Sequence, residues 1–360
     1  MGFQWIRVYQ FRNLEQATIP VPMGQVFFIG ENGQGKTNFL EAVYFLCYGS
    51  SFRTKKDDHL IRSGSSEMAV AGHWVDSNRS LEVQVQIQQG KKRITVDKTV
   101  LEDRRELVET IPCVVFSHED MEFVKGPPEM QRWFFNQTCS MINSEYLDSL
   151  RTYSKLVKTR NAVLKDGRTD LLEVYNHQLA VQGIELQKVR KKTLEAFNQI
   201  FAEVFPYVSG LDEPVWIEYK PSWNSDDPLE VLSFLEKRRN YDLQLKTTTS
   251  GPHRDKFIFR YQGQDFSLIA STGQIRLVSL VLRSAQAQLL AQTRQKEPVF
   301  LIDDVLLELD DGKRKRFLET LPKFSQAFYT FLPDEHIKEY IQGDRITYSV
   351  KQGTFYEESI

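Results

Sequence analysis

Apolar residues recur along this chain in two periods, and the alternation between them predicts the elements. Residues 5–11, 17–22 and 26–29 read as strands, the last of them running into Gly30. After a glycine-rich loop, Phe39, Leu40, Val43 and Leu46 return at helical spacing and predict a helix with an apolar face. Leu81, Val83, Val85 and Ile87 then alternate with Glu82, Gln84 and Gln86, so residues 69–75 and 80–87 predict a half-exposed antiparallel sheet. From 129 to about 205 the pattern changes to long helices in which Gly167 and Gly183 are the only breakers. Residues 206–246 show no clear period. A strand at 256–261, a helix at 273–292, a strand at 299–302, a helix at 313–321 and a strand at 326–330 then follow the beat of a parallel α/β sheet. The expected organisation is a head made of residues 1–128 and 247–360, with a mainly helical arm, 129–246, inserted in it.

Composition narrows the class without naming it. With 41% hydrophobic and 26% charged residues among 360, the chain can bury more than one core and is neither fibrous nor disordered. A net charge of -2 gives no overall field toward nucleic acid, so any polyanion site must be a local patch. No apolar run approaches a membrane span, and the first residues lack a leader pattern, which points to the cytosol and away from membranes. Cys47, Cys113 and Cys139 are far apart with no C-x-x-C pair, so inert buried thiols are expected rather than disulfides or zinc.

The chemistry lies in short stretches. Gly30-Glu31-Asn32-Gly33-Gln34-Gly35-Lys36-Thr37 fits G-x-x-x-x-G-K-[ST] between a strand and a helix. Such a loop wraps a phosphate in backbone N–H groups; Lys36 neutralises the β- and γ-phosphates, and Thr37 offers its hydroxyl to Mg²⁺. Asp303 and Asp304, ending the apolar run 299–302, supply a carboxylate for Mg²⁺ and one to polarise a water, unless both merely cap the next helix. Lys36 and Asp303 are 267 positions apart, so something large is inserted in the nucleotide fold. Ser271-Thr272-Gly273-Gln274 precedes a helix and could be only a cap. Its order between the loop and the Asp pair instead matches the S-x-G-Q segment by which ATPases of the ABC class bind a γ-phosphate held by a second subunit. Residues 307–310, ending at Asp310, sit where such proteins carry a loop that contacts that subunit.

These stretches, with FRNL at 11–14, SFRT at 51–54, VVFSHEDMEFVKGPP at 114–128 and TTSGPHRD at 248–255, resemble the RecF family of recombination-mediator ATPases, related to SMC and Rad50 heads. The resemblance spans nearly the whole chain. It implies an ABC-type head with a short helical arm, ATP-dependent homodimerisation, and DNA binding in gap repair with RecO and RecR as partners. His118, Asn136, Ile275 and Leu307 depart from the residues usual in the family, and Thr330 stands where many transporters have a switch His. By resemblance, Arg12 and Asn13 could reach the nucleotide and Arg53 the phosphates or DNA, although a surface salt bridge is an equal reading of each. The turn at 251–255 has no evident mechanism.

Residues 151–193 carry ten Lys or Arg against four acids, a local charge of about +6, densest at Lys188, Arg190, Lys191 and Lys192. That is either a solvated helix face or a DNA surface. The favoured function is thus a weak ATPase that acts as a DNA-binding switch: it dimerises on ATP, binds DNA without reading bases, and hydrolyses slowly to let go. A metabolic P-loop kinase with a helical substrate lid is the rival, but a kinase has no use for the Ser271 segment. A transporter ATPase subunit is disfavoured by the insert and by Thr330.

Overall fold

The computed structural model describes residues 1–76, 79–103, 105–167, 169–211, 213–306, 309–333 and 345–358. The chain divides into two units, Met1–His118 with Leu290–Ile360, and Glu119–Leu289.

The first unit holds two sheets. Its early strands are β1 (Gly2–Tyr9), β2 (Ala17–Pro20), β3 (Gly24–Ile29), β4 (Glu67–Val75), β5 (Ser80–Gln88), β6 (Lys91–Val96), β7 (Thr99–Val100) and β8 (Cys113–Phe116), with helices α1 (Lys36–Tyr48) and α2 (Arg105–Thr110) between them. An antiparallel sheet runs in the order β2-β1-β4-β5-β6-β7. In β5 the four aliphatic residues of the alternating run all point inward, while Glu82 is exposed. After the second unit the chain returns with β12 (Val299–Asp303), α11 (Asp311–Thr320), β13 (Gln326–Phe331), β14 (Arg345–Lys351) and β15 (Thr354–Glu357). These strands build the other sheet, β15-β14-β3-β13-β12-β8, in which only β15 runs antiparallel. Every residue of β8, β12 and β13 is buried, as expected where a parallel sheet is covered on both faces. Helix α1 packs against strands of both sheets and is therefore buried nearly all round, more than an amphipathic face predicts.

The second unit contains α3 (Glu122–Lys125), α4 (Pro128–Ile142), α5 (Ser144–Asp166), α6 (Leu172–Ser209), β9 (Trp216–Lys220), α7 (Pro228–Lys237), α8 (Arg239–Leu245), β10 (Lys256–Tyr261), β11 (Gln264–Asp265), α9 (Phe266–Ile269) and most of α10 (Thr272–Arg294). Gly167 ends α5 in the left-handed region, as a breaker should. Gly183 does not break α6: a Cβ there would meet Trp223 Cζ3 at 2.4 Å, so glycine is required by the close approach of the indole. None of the helices formed by the described residues is long and apolar enough to cross a membrane.

The unit borders fall at 118/119 and 289/290 rather than at 128/129 and 246/247. Strand pairing and buried ion pairs explain the shift. β9 pairs with β10 in the sheet β11-β10-β9. Arg283 in α10 donates to Asp120 Oδ1 at 2.8 and 3.0 Å, with both residues buried. Gln286 Nε2 donates to Thr138 Oγ1 at 2.8 Å. The Ser271 segment therefore belongs to the second unit.

Polar residues fix the interior of that unit. Arg160, fully buried, donates to Asp242 Oδ2 at 2.8 Å, Asn176 Oδ1 at 2.8 Å and Thr248 Oγ1 at 2.9 Å. Arg190, 2% exposed, donates to Asp255 Oδ2 at 2.6 Å, Tyr146 Oη at 2.9 Å, the Pro252 carbonyl at 2.7 Å and Asn136 Oδ1 at 2.8 Å. Asp255 also accepts from the Tyr219 hydroxyl, the Ser222 N–H at 2.7 Å and Gln187 Nε2 at 3.1 Å. The turn at 251–255 thereby acquires its mechanism: it delivers the counter-ion of Arg190. His253, hydrogen-bonded by Tyr153 and the Thr248 carbonyl, is pushed down to about 4 chiefly by burial and stays neutral.

Candidate nucleotide-binding site

The parallel strands end together, and their ends carry the chemistry. β13 aligns Phe331 with Ile29 of β3 and Thr330 with Asp303 of β12, so the loop after Ile29 opens beside the Asp pair. Gly33 and Gly35 have φ of 78° and 116°, which explains glycine at both positions. Gly30 is fixed by space instead, since a Cβ would lie 2.5 Å from the Val350 carbonyl oxygen of β14. The loop is pinned from outside as well. The Gly353 N–H donates to the Gln34 carbonyl at 2.8 Å, the Gln352 N–H to Gln34 Oε1 at 2.6 Å, and Asn13 Nδ2 to the Gly33 carbonyl at 3.0 Å.

Lys36 is buried, and its Nζ donates to the carbonyls of Gly30 at 2.6 Å and Glu31 at 3.2 Å. It lies 4.0 Å from Asp304 Oδ2. The Thr37 hydroxyl donates to Asp303 Oδ1 at 2.8 Å. Thr330, buried in β13, places its Oγ1 2.9 Å from Asp303 Oδ1, 2.9 Å from Asp304 Oδ1 and 2.9 Å from the Asp304 N–H. Burial pushes the Asp303 carboxyl above its usual range and the charge of Asp304 adds to this, against hydrogen bonds from Thr37 and Thr330. Two neighbouring carboxylates, with one lysine 4.0 Å from Asp304, lie beside the Thr37 hydroxyl, a setting suited to a hard divalent cation.

Beside the loop, Asn38 Nδ2 donates to Asn13 Oδ1 at 2.7 Å, and Arg53 donates to Asn38 Oδ1 at 2.8 Å. Arg12 pairs with both oxygens of Glu41 at 2.9 and 3.0 Å, and Arg53 and the Ser51 hydroxyl reach the same carboxylate. The Glu41 side chain is fully buried. It organises both arginines, whereas the sequence pattern marks it only as a break in an apolar run. A charged residue inside a buried helical run, five positions after Lys36, is the signal that could have found it.

The remaining candidates are distributed as follows. Ser271, Gly273 and Gln274 are exposed at the start of α10. The Ser271 N–H donates to Gln274 Oε1 at 2.8 Å and the Gln274 N–H to Ser271 Oγ at 3.3 Å, a reciprocal cap. Ile275 is buried, which accounts for an apolar residue there. Asp310 caps α11 by accepting from the Lys313 N–H at 2.9 Å and Lys313 Nζ at 2.7 Å; Leu307 and Glu308 lie outside the described residues.

The basic run on the arm needs correction. Arg190 and Arg160 are interior counter-ions, so neither can contact DNA. Lys188 is exposed and paired with Glu185 at 2.9 Å, Lys191 and Lys192 are exposed, and Arg168 lies outside the described residues. On the head, Lys55, Lys56 and Lys91 are exposed and, among the described residues, form no ion pair. Lys92, next to Lys91, joins β6 to the loop after α1: its Nζ reaches the Gly49 carbonyl and Asp57, both at 2.8 Å.

The family model described as RecF/RecN/SMC N terminal domain matches residues 3–354. The DNA replication and repair protein RecF of Treponema pallidum (strain Nichols) is 42% identical over 349 residues, 96% of this chain and 99% of that protein. The chain belongs to the RecF family. A RecF described as a recombination mediator of the RecFOR pathway, solved with ATP, is 28% identical with a TM-score of 0.91, covering 99% of this chain and 98% of its own. The Smc head domain of Pyrococcus furiosus, at 16% identity and a TM-score of 0.56, covers 100% of this chain and 96% of its own and shares the fold. The fold is accordingly that of an ABC-type ATPase head with a helical insertion, as the motif order implied. Within the family frame, Thr330 and Asn136 have visible partners: Thr330 holds the Asp pair and Asn136 accepts from Arg190 and Tyr146.

Proposed function

We propose that this chain is an ATP-switched DNA-binding protein of recombinational repair and replication restart, which dimerises on ATP and releases by slow hydrolysis. The observation that carries the reading is the convergence of Lys36, Thr37, Asp303, Asp304 and Thr330 at the mouth of the glycine-rich loop. In this reading the loop N–H groups and Lys36 hold the phosphates, and Thr37 with Asp303 holds Mg²⁺, which screens phosphate charge when bound. Asp304 orients the attacking water. ABC-type heads usually carry Glu there, and the shorter Asp supports a slow rate.

Two clefts flank the loop, and charge chooses between them. The cleft of about 1230 Å³ beside β14 is bordered by Glu15, Glu31 and Glu358 against a single cation, Lys351, a net negative lining that repels a triphosphate. The open cleft of about 580 Å³ is lined by Arg12, Asn13, Asn38, Arg53 and Arg62, and there the nucleotide extends from the loop. The family relationship supports ATP as that nucleotide and RecO and RecR as partners.

Ser271, Gly273 and Gln274 contact the γ-phosphate held by a second copy, with Asp310 in the adjoining dimer loop. Ser271→Arg is expected to leave ATP affinity unchanged and to remove the ATP-dependent dimer in light scattering; a normal dimer would return Ser271 to the role of a cap. DNA is held by its phosphates, at Lys55, Lys56 and Lys91 near Arg53 and at Lys188, Lys191 and Lys192 on the arm. Lys55→Glu/Lys56→Glu and Lys191→Glu/Lys192→Glu should each weaken binding to all sequences alike. Each should also flatten the slope of log affinity against log salt by about 0.9 for every phosphate that is no longer neutralised. A pair with the wild-type slope is a solvated face. The whole reading is tested by DNA affinity with ATP, with ADP and without nucleotide: tighter binding with ATP is expected, and equal affinity in all three would overturn the switch.

A further inference from the structure

We infer that Thr330 is a positioning residue whose single hydroxyl proton serves the two carboxylates in turn, Asp303 in the free site and Asp304 in the loaded one. The inference rests on the proposed ATP and Mg²⁺ site and concerns how loading it readies Asp304. Thr330 Oγ1 stands 2.9 Å from each of three groups: Asp303 Oδ1, Asp304 Oδ1 and the Asp304 N–H. A hydroxyl has one proton to donate and two lone pairs to accept with. One lone pair takes the Asp304 N–H, so the proton satisfies one carboxylate oxygen and leaves the other facing an oxygen with no hydrogen between them.

Surroundings decide which carboxylate receives it. Asp303 Oδ1 already accepts from Thr37 at 2.8 Å and is buried, whereas the Asp304 side chain is 23% exposed and can turn to water. In the free site the buried carboxylate has the stronger claim, because its charge has few donors and no ready access to water, whereas Asp304 can replace a lost donor with water. Once Asp303 and Thr37 are committed to a cation, Asp303 accepts more weakly and the proton turns to Asp304. That second bond fixes a carboxylate whose backbone, at φ 53°, is already held in the left-handed region by its N–H to the same hydroxyl.

Two consequences follow for variants. Without the hydroxyl, Asp303 keeps one donor fewer in the free site, so a cation meets less competition. Asp304, meanwhile, loses both its anchor and its orientation. Thr330→Val should therefore bind ATP at saturating Mg²⁺ within about threefold of wild type, with the Mg²⁺ midpoint of binding of a fluorescent ATP analogue lowered severalfold. Its single-turnover hydrolysis should fall by about tenfold to a hundredfold, the scale of misplacing a reacting group. Thr330→Ser should restore both quantities, and Thr330→Cys, a poor donor of similar size, should behave as Val does and replaces it if Val does not fold.

An unchanged Mg²⁺ midpoint, an unchanged rate, or a loss of ATP binding that parallels a lower melting temperature and is shared by Ser would each overturn the role. If wild-type protein itself neither binds nor hydrolyses ATP, the functional reading fails instead. Wild-type binding and hydrolysis with an indistinguishable Val variant sinks only the role of Thr330.

Discussion

Lys36→Ala is expected to lower ATP affinity by about a hundredfold and to leave the protein folded. In the free loop the Lys36 ammonium is satisfied by the carbonyls of Gly30 and Glu31, so it already stands over the cradle and does not have to be recruited. Truncation removes at least one charge-assisted bond to phosphate, about 3 kcal/mol, or roughly two powers of ten in affinity. The fold survives because the shape of the loop comes from elsewhere, from the glycines and from the pins at Gln34 and Gly33. A fluorescent-nucleotide titration alongside a thermal melt checks both halves. Affinity within threefold of wild type in a folded variant would remove the loop from the nucleotide site.

Asp255→Ala has its large effect on the second unit. It leaves the Arg190 guanidinium buried with only neutral acceptors, Tyr146, Asn136 and the Pro252 carbonyl. Breaking one side of a buried pair costs about 3–5 kcal/mol. For a unit of this size that is a fall of about 10 °C in melting temperature. Calorimetry should show the loss, and nucleotide affinity below the transition should stay near wild type. A melt within 2 °C, roughly the effect of under 1 kcal/mol, would mean that neutral acceptors suffice for Arg190. For the same reason, reversing Arg190 in a DNA experiment would read unfolding rather than phosphate binding.

What the sequence makes legible is local. The glycine-rich loop, its helix and the Asp pair are contiguous stretches whose spacing is itself the chemistry, and the parallel beat after residue 299 follows from short apolar runs. Glu41 escapes because its partners Arg12 and Arg53 come from loops that only the fold brings to α1. Arg190 is misread because a charge count along a helix ignores its faces. It shares a buried stripe with Gly183, Gln187, Leu194 and Phe197, while Lys188, Lys191 and Lys192 point elsewhere. The hairpin of β14 and β15 is hard to read although Gln352-Gly353 is a turn between alternating runs, and α7 is hidden by Pro228, which in fact begins the helix.

That hairpin has a bearing on how the protein is made. The strand that launches the glycine-rich loop, β3, lies between β13 and β14, and the loop itself is pinned by Gln352 and Gly353. Residues 30–37 leave the ribosome early, yet both strands that flank β3 and the turn that holds Gln34 are encoded after residue 325. A nascent chain therefore cannot bind nucleotide until those strands emerge, and the second unit, contiguous in sequence, can fold first. A chain cut short before β14 would lack both a strand that flanks β3 and the residues that hold Gln34, and is expected to leave the glycine-rich loop unformed.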